Sequence, residues 1–398
     1  MNIVVTGATS FLGVPMVRQL LAGGHRVWAV VRPQSAHLSH LLEQVAEQVP
    51  EQAPEQVPRQ VSDQNQISDQ YKGRLQIISL DLSNLDQIQT VMRAESKREA
   101  DTRMAGAELE STPDTKMDAW IHIGWEGAGS DNRTQRDVQQ ANVGYALAAV
   151  RAAAELGCRR FLFTGSQAEY GVCRAQADHS AAANQTDYAA AAGQTDHAAN
   201  ADRTDRSAAE KAGYRPITEQ QACHPVSEYG IAKMDFYRQA VPLCEKLQME
   251  YIHTRIFSVY GPGDHPWTLV QSCLRSWERG ETIKLGECTQ QWNFLYIEDT
   301  VEALICLLTD GRPGVYNIAS EDTRPLRAYI EEMYELCGRR GGFSYGERPQ
   351  NAEGPADLMP DIRKLREETG WKPKTTFAEG IYETLHSMRE GAAKAQSV

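Results

Sequence analysis

The sequence predicts an α/β protein with a doubly wound parallel sheet, a smaller carboxyl-terminal α/β lobe and low-complexity insertions. Short apolar runs rich in β-branched residues alternate with helical patterns in the first half of the chain, which is typical of consecutive βαβ units. Glycine-containing turns follow several of these runs. Three polar, repetitive segments interrupt the alternation and carry no apolar periodicity.

The first βαβ unit predicts a dinucleotide-binding turn. Met1–Val5 is a short apolar strand, a turn with the spacing Gly7-x-x-Ser10-x-x-Gly13 follows it, and a helical pattern leads to a second strand at Arg26–Val31. Such a turn brings backbone N–H groups and the positive end of a helix dipole to a pyrophosphate. Serine stands where a third glycine is expected, and it is small enough for a close backbone approach. The cofactor contacts predicted in this turn are Gly7, Thr9, Ser10, Phe11, Leu12 and Gly13.

The end of the second strand favours NADP over NAD. An acidic side chain there would bind the ribose 2′-hydroxyl of NAD. Instead Val31 is followed by Arg32, whose cation suits the 2′-phosphate of NADP. The alternative is that Arg32 is an ordinary solvated surface residue.

Composition limits the class of protein. The 398 residues are 41% hydrophobic and 24% charged, enough for one large core or two modest ones. A net charge of −12 argues against a nucleic-acid-binding surface, which needs a basic face. The chain opens on a core strand and has no apolar run of membrane-spanning length, so we expect no signal peptide, no membrane association and a cytoplasmic location. Eight scattered cysteines without a Cys-x-x-Cys pair predict neither a metal site nor disulfides.

The polar segments are predicted to be insertions at about residues 36–72, 93–116 and 174–213. In the first, a proline-containing repeat runs from Glu43 to Val61, which removes helical hydrogen bonds and offers little to bury. The third separates two candidate catalytic segments, so a lid over the substrate is an alternative to a plain surface insertion.

Further strands are predicted at Leu75–Leu80, Ala119–Gly124 and Arg159–Thr164, with a helix over residues 142–156. Asp81, at the end of the first of these strands, either accepts a bond from an adenine amino group or caps the next helix. His122 lies inside a buried strand, which favours a hydrogen-bonded core residue over a catalytic base.

Tyr229 and Lys233 are the strongest candidates for proton-transfer chemistry. They stand four residues apart, so on a helix they share one face. A phenol with an ordinary pKa of about 10 is a poor base at neutral pH, but a nearby ammonium and a nicotinamide cation both favour the phenolate. Ser166, just past the fifth predicted strand, would project into the same crevice.

These residues give the chain its resemblance to the extended short-chain dehydrogenases/reductases of the NAD-dependent epimerase/dehydratase family. The matching motifs span nearly the whole chain and follow the order of the family. They are Thr6–Gly13, Asp81-Leu82, Ile121-His122, Asn142-Val143, Ser166 with Tyr170-Gly171, Pro225–Lys233, Arg255–Asp264, Phe294–Asp299, Val315–Ile318 and Gly370–Pro373.

The resemblance implies a Rossmann-type domain at residues 1–257 with a returning segment at about 291–313, and a substrate-binding lobe in the rest of 258–398. It implies Ser166, Tyr229 and Lys233 as a catalytic triad acting on a nucleoside-diphosphate sugar. Tyr229 would exchange a proton with the substrate oxygen while hydride passes to or from nicotinamide. With Arg32, the further cofactor contacts that we predict are Asp81, Leu82, Ile123, Gly124, Tyr229, Lys233 and Ile256. The predicted substrate contacts are Trp125, Ser166, Gln167, Ser258 and Trp292.

Departures from the family pattern narrow the reaction. The 4,6-dehydratases of the family carry an Asp-Glu pair directly after the catalytic Ser or Thr, but Gln167-Ala168 stands here, so dehydration is not expected. Hydride transfer at carbon 4 of the hexose is the reaction that remains. The enzyme would be either a 4-keto reductase or a 4-epimerase that retains NAD, and Arg32 slightly favours the reductase. A reductase of a non-sugar carbonyl and a non-catalytic NADP-binding regulator are further alternatives.

Three other expectations follow from the resemblance. Trp292 stands where family members commonly have arginine, so it either stacks on a base or fills the lobe interface; Trp125 is likewise a sugar platform or core filler. A homodimer is expected to pair through the helices near 142–156 and 229–241. Surface polysaccharide synthesis is the process that such an enzyme would serve.

Overall fold

The structure, a computed structural model, describes residues 1–46, 73–103, 116–129, 132–172, 216–349 and 356–396. The strands in these ranges are β1 (Asn2–Thr6), β2 (Arg26–Val31), β3 (Leu75–Ser79), β4 (Ala119–His122), β5 (Arg160–Ser166), β6 (Glu250–Ile256), β7 (Ser258–Tyr260), β8 (Thr282–Lys284), β9 (Gln291–Tyr296), β10 (Gly314–Ile318), β11 (Thr323–Pro325) and β12 (Gly342–Ser344). The helices are α1 (Gly13–Ala22), α2 (Leu38–Ala46), α3 (Ile88–Arg103), α4 (Arg136–Glu155), α5 (Glu228–Lys246), α6 (Leu269–Glu278), α7 (Ile297–Asp310), α8 (Leu326–Leu336), α9 (Arg363–Thr369) and α10 (Phe377–Gln396). Short 3-10 turns lie at Leu82–Gln87 and Gln167–Glu169.

A seven-stranded sheet carries the larger part of the fold. Its strand order is β10-β6-β5-β4-β1-β2-β3, and the neighbouring strands pair in parallel. The order reverses between β1 and β4, which pair from Ile3 with Ala119 to Thr6 with His122. In an open parallel sheet, ligands bind outside the carboxyl ends of the strands at such a switch point. The predicted Rossmann-type, doubly wound fold is confirmed.

Both faces of this sheet are buried, because successive side chains along a strand point to opposite sides. Ile3 and Val5 belong to the hydrophobic core that includes α1 and α7. Val4 and Trp120 belong to the second core, which includes α4 and α5. The apolar runs of the sequence therefore form strands covered on both sides by helices.

Two described helices reach into the first two predicted insertions. Helix α2 lies inside the predicted 36–72 segment, and its Leu41 and Val45, one helical turn apart, are buried in the core beside α1. Helix α3 extends to Arg103, although an insertion was expected from residue 93. The remaining parts of these segments, and the third predicted insertion at 174–213, lie outside the described residues.

The smaller lobe has an aromatic core between two small sheets and three helices. Strands β11, β9 and β7 form one sheet, β12 and β8 form the other, and α6, α8 and α10 cover them. The rings of Tyr329 and Phe377 meet edge to face, with centroids 4.6 Å apart. Phe294 also packs on Tyr329, with ring centroids 5.1 Å apart.

The chain returns to the large sheet later than the predicted segment 291–313. Strand β9 stays in the small lobe because its side chains join the aromatic core there. Helix α7 then packs with α1, and β10 pairs with β6 at the edge of the large sheet. The returning segment is therefore Ile297–Ile318.

Two glycines shape the turn between β1 and α1. Gly7 has a φ of 74°, and a Cβ placed there would lie 2.7 Å from the backbone nitrogen of Gly124. A Cβ on Gly13 would lie 2.0 Å from the carbonyl oxygen of Gly7. No side chain fits at either position without moving backbone.

We expect Gly13→Ala to lower the free energy of unfolding by about 2–4 kcal/mol, because the added methyl group collides with backbone that holds the turn together. Equilibrium unfolding in urea measures the change. Gly391→Ala on α10 is the matched control, since a Cβ there has no atom within 4 Å and should not destabilise the protein. Equal stability of Gly13→Ala and wild type would contradict this close contact.

Candidate active site

The turn after β1 forms a cradle of backbone amides at the start of α1. The amide of Ser10 donates to the Gly7 carbonyl over 3.0 Å, and the amide of Gly13 donates to the Ser10 hydroxyl oxygen over 3.1 Å. The serine that replaces the third glycine therefore satisfies an amide in the first turn of α1. The close backbone approach and the helix N-terminus are the two features that a pyrophosphate site needs.

Three other residues of this turn contact neighbouring elements. The Thr9 hydroxyl lies 3.4 Å from the hydroxyl of Ser35, beyond the end of β2. Phe11 and Leu12 pack against the aromatic core of the small lobe. The cradle thus touches both lobes at once.

Arg32 and Asp81 stand near each other at the carboxyl ends of β2 and β3. The Asp81 carboxylate accepts from the amide of Ser83 over 2.9 Å and from its hydroxyl over 2.7 Å. These bonds, and then the charge of the exposed Arg32, lower the pKa of Asp81. The capping alternative for Asp81 is confirmed, whereas its contact with adenine stays a prediction.

Leu82, Ile123 and Gly124 line the switch point between β1 and β4. A Cβ on Gly124 would lie 2.9 Å from a methyl carbon of Leu82. Ile123 is buried, and its amide donates to the carbonyl of Thr6 over 3.2 Å. The predicted cofactor contacts from three separate segments therefore meet at the crevice.

Ser166, Tyr229 and Lys233 come together at the carboxyl end of β5. Ser166 ends this strand, and Tyr229 lies in the first turn of α5, which Ser227 caps. The Ser166 side chain lies near enough to the Tyr229 hydroxyl to lower the pKa of that phenol. Lys233, one helical turn further on, donates from its ammonium to the Thr164 carbonyl over 2.7 Å. Tyr229 is 9% exposed and Lys233 is 2% exposed, so the group is largely shielded from water.

Burial and nearby charges set the ionisation of these groups. The pKa of Lys233 is lowered to about 7, mainly by burial. The charge of Glu169 raises this pKa, and the charge of Arg133 lowers it. Burial raises the pKa of the Tyr229 phenol, whereas the charge of Arg133 and the hydrogen bond from Ser166 lower it. The Arg133 guanidinium lies 4.4 Å from the centre of the Tyr229 ring. Arg133 is therefore a second cation at the site; it stands in a turn before α4 that no sequence motif marks.

Aromatic rings enclose the ammonium of Lys233. Its nitrogen lies 4.0 Å from the centre of the Trp125 ring and 4.5 Å from that of Phe163. The indole nitrogen of Trp125 donates to Gln139 over 2.8 Å. Trp125 is thus packed into the wall of the site, and its role as a sugar platform stays a prediction.

His122 is a core residue, as predicted. It is 1% exposed, its Nδ1 lies 2.8 Å from the Thr6 hydroxyl, and its ring stacks on Phe163 at 5.9 Å. Burial, and then the charge of Lys233, lower its pKa to about 3. The imidazole is therefore neutral at ordinary pH and packs beneath the site.

The other predicted site residues lie around the crevice. Gln167 follows Ser166 in a 3-10 turn, and Ile256 stands opposite Ser166 where β5 pairs with β6. Ser258 begins β7 in the small lobe. Trp292, on β9, packs against the cores of both lobes, so it fills the lobe interface; stacking on a base stays a prediction.

A buried ionic network behind Ser166 was not predicted from the sequence. Glu169 has no exposed surface and accepts hydrogen bonds from the Ser166 amide, from His253 and from Arg255. The spacing Ser166-x-x-Glu169 is that of a capping box, which is the one local signal for this arrangement. The partners on β6 are distant in sequence and follow from the sheet alone.

Two general features concern the part of the chain that the structure describes. No group of three or more His, Cys, Asp or Glu side chains is placed to hold a metal ion there. No helix in those residues has the length and apolar character that crossing a membrane requires.

Two protein-family models match the chain. The model of the NAD dependent epimerase/dehydratase family matches residues 3–206, and the model of GDP-mannose 4,6 dehydratase matches residues 210–384. Among curated proteins, the dTDP-D-glucose 4,6-dehydratase of Mus musculus is 29% identical over 156 residues, which are 37% of this chain and 43% of that protein. The chain thus spans less than half the length of that relative.

Solved structures with the same fold cover nearly the whole chain. The UDP-glucose 4-epimerase of Thermotoga maritima with UDP-glucose is 17% identical with a TM-score of 0.68, and the match covers 98% of this chain and 100% of that one. The dTDP-glucose 4,6-dehydratase of Streptomyces venezuelae with NAD and TYD is 18% identical with a TM-score of 0.68, covering 99% of this chain and 98% of that one. At such identities the likeness concerns the fold. Since the first family model spans about half of the chain, residues 3–206, this protein belongs to the NAD-dependent epimerase/dehydratase family.

Proposed function

We propose that this protein binds NAD(P) and a nucleoside-diphosphate hexose and transfers hydride at carbon 4 of the sugar, with Tyr229 as the acid/base. The observation that carries the proposal is the meeting of Ser166, Tyr229 and Lys233 beside the switch-point crevice. The family and the names of the relatives support the substrate class, because these proteins are nucleotide-sugar enzymes.

The dinucleotide fits the turn after β1. Gly7 and Gly13 leave no room for a Cβ, so backbone amides can approach a pyrophosphate closely at the N-terminus of α1. Residues Gly7 to Gly13 would hold the pyrophosphate, and Lys233 would contact the nicotinamide ribose. When bound, the dinucleotide supplies the acceptor or donor of hydride.

Tyr229 is proposed to move the proton. Its phenol oxygen would take the proton of the carbon 4 hydroxyl, or return it to a keto oxygen, while Ser166 hydrogen-bonds the same substrate oxygen. Arg133 supplies positive charge beside the phenol ring, which favours the phenolate against the cost of burial, and the Lys233 nitrogen lies 5.5 Å from the ring centre.

Loss of water from the sugar is not part of the proposal. Gln167 and Ala168 stand where the family's dehydratases carry two acids. The nearest carboxylate along the chain, Glu169, is fully buried and bonded to His253 and Arg255, so it is not available to a substrate. A simple hydride transfer with one acid/base is therefore favoured over dehydration.

The direction of the reaction follows from the cofactor. Arg32 is exposed at the end of β2, where a 2′-phosphate would bind, which supports NADP and a 4-keto reductase. The second candidate, a 4-epimerase that retains NAD, uses the same three residues.

Identification of the co-purifying nucleotide by mass spectrometry, followed by turnover with nucleotide-linked 4-keto sugars, tests the proposal. Stoichiometric consumption of NADPH is expected for a reductase. Tightly held NAD and interconversion of sugars without a net absorbance change would instead establish the epimerase. The absence of turnover with every sugar tested, together with turnover of a non-sugar carbonyl, would contradict the substrate class.

We expect Tyr229→Phe to lower kcat by about 10²–10⁴-fold, because the acid/base is lost while the ring remains. Dissociation constants for the cofactor, from fluorescence titration, should stay within about twofold of wild type. Tyr382→Phe is the control, since this phenol is 57% exposed and lies on α10 of the small lobe, outside the candidate triad. Wild-type turnover in Tyr229→Phe would remove Tyr229 from the mechanism.

We expect Arg32→Gln to weaken NADPH binding about tenfold, because a charge-assisted bond to the 2′-phosphate is lost. NADH binding by the same variant should not change. Arg26→Gln, at the opposite end of β2, is the matched control for surface charge. Equal loss of NADPH and NADH affinity in Arg32→Gln would show that this arginine does not select the cofactor.

A further inference from the structure

Glu169 is a fully buried carboxylate that lies three residues after Ser166. Burial raises its pKa, but the interaction and hydrogen bond with His253, the charge of Arg255 and the amide of Ser166 outweigh burial, so the net shift is downward. A buried charge persists only where partners compensate the lost hydration. Glu169 is therefore an ionised group that the fold accommodates at this place.

Both carboxylate oxygens of Glu169 have partners. Oε1 accepts from the Ser166 amide over 2.9 Å, and Oε2 accepts from His253 Nε2 over 2.8 Å and from Arg255 Nε over 3.1 Å. The Tyr251 hydroxyl lies 2.7 Å from Nδ1 of His253. Burial lowers the pKa of His253, which favours a neutral imidazole. In that form Nδ1 accepts from the Tyr251 hydroxyl and Nε2 donates to Glu169.

The strand pairing leaves room for this network. Gly165 stands opposite Arg255 where β5 pairs with β6. A Cβ on Gly165 would lie 2.5 Å from Oε1 of Glu169 and 2.7 Å from Nε2 of His253. Glycine at this position therefore makes space for the carboxylate directly behind Ser166.

Glu169 lies beside the candidate triad, because it accepts from the Ser166 amide while Lys233 donates to the Thr164 carbonyl, two residues earlier on β5. Its charge acts on both titratable members of the triad. It raises the pKa of Lys233 and, more weakly than burial, that of Tyr229. The other charged or titratable groups facing Lys233 are Arg133 before α4, His122 on β4, His253 on β6 and Tyr229 on α5. Among these described groups around Lys233, Glu169 is the one with a negative charge.

We propose that Glu169 is a positioning residue of the candidate site: it fixes the backbone of Ser166 and supplies the negative charge that balances the Lys233 ammonium. The charge role rests on the proposed function, because it requires Lys233 to contact the bound dinucleotide. The backbone role needs no ligand. Glu169 is distinct from the acids of the dehydratases, whose places are taken by Gln167 and Ala168.

The charge role is tested by the pH dependence of NADPH and NADH binding, measured by fluorescence. Wild-type affinity should fall as the pH rises through the titration of Lys233, because the ammonium is the binding form. In Glu169→Gln the ammonium loses its compensating charge, so this fall should move to lower pH by roughly one unit. An unshifted profile in Glu169→Gln would overturn the charge role.

Two further variants distinguish loss of the Glu169 charge from loss of folding as the reason for a shifted pH profile. Asp299→Asn is the matched control, because Asp299 is a buried carboxylate that accepts from the amides of Lys374 and Thr375, away from the triad; its profile should match wild type. If Glu169→Gln does not fold, Glu169→Gln/Arg255→Gln removes the charged pair together and should move the profile in the same direction by a smaller amount, because a cation is lost with the anion.

The backbone role is tested without ligand by hydrogen exchange and mass spectrometry of peptides covering residues 160–168. Glu169→Ala should speed exchange of the Ser166 amide by at least about tenfold, whereas Glu169→Gln keeps an acceptor and should preserve protection. Equal exchange in Glu169→Ala and wild type would overturn this role. If neither NADPH nor NADH binds to the wild-type protein, the proposed function fails, while the exchange result still decides the backbone role.

Discussion

The hydrogen bond from the Lys233 ammonium to the Thr164 carbonyl joins α5 to β5, and the geometry of the candidate site depends on it. A buried cation costs several kcal/mol unless its surroundings compensate for lost water. Here compensation comes from the carbonyl, from the faces of Trp125 and Phe163, and from Glu169. Because these groups belong to different segments, the cation is stable only in the assembled sheet. Folding of the sheet and formation of the site are therefore one process.

Those parts of the fold that depend on local pattern could be predicted from the sequence. Apolar runs gave the first five strands of the large sheet to within a few residues, since parallel strands buried on both faces need continuous apolar sequence. Four-residue spacing placed Tyr229 and Lys233 on one face of a helix, which α5 confirms. The capping role of Asp81 was also visible as an alternative, because it depends only on Ser83 nearby.

The remaining features depend on contacts between distant parts of the chain. Glu169 and His253 are 84 residues apart, and only the pairing of β5 with β6 brings them together. Arg133 reaches Tyr229 from a turn whose sequence has no pattern. Helix α2 falls inside a predicted insertion, although Leu38, Leu41, Leu42 and Val45 have the spacing of one helix face and pack on the core. For the contacts of Glu169 and Arg133, tertiary packing decides the outcome and local periodicity carries no information, whereas the helical spacing of α2 was readable from the sequence.

The packing of Phe11 and Leu12 on the small-lobe core has a thermodynamic consequence. These two residues belong to the cradle at the start of α1, so the free energy of that turn includes contacts with a different lobe. Linkage is reciprocal: a ligand that favours one arrangement of the turn favours the matching arrangement of the lobe by the same factor. A ligand that shifted this turn would therefore also shift the packing of the two lobes, because this hydrophobic contact joins them.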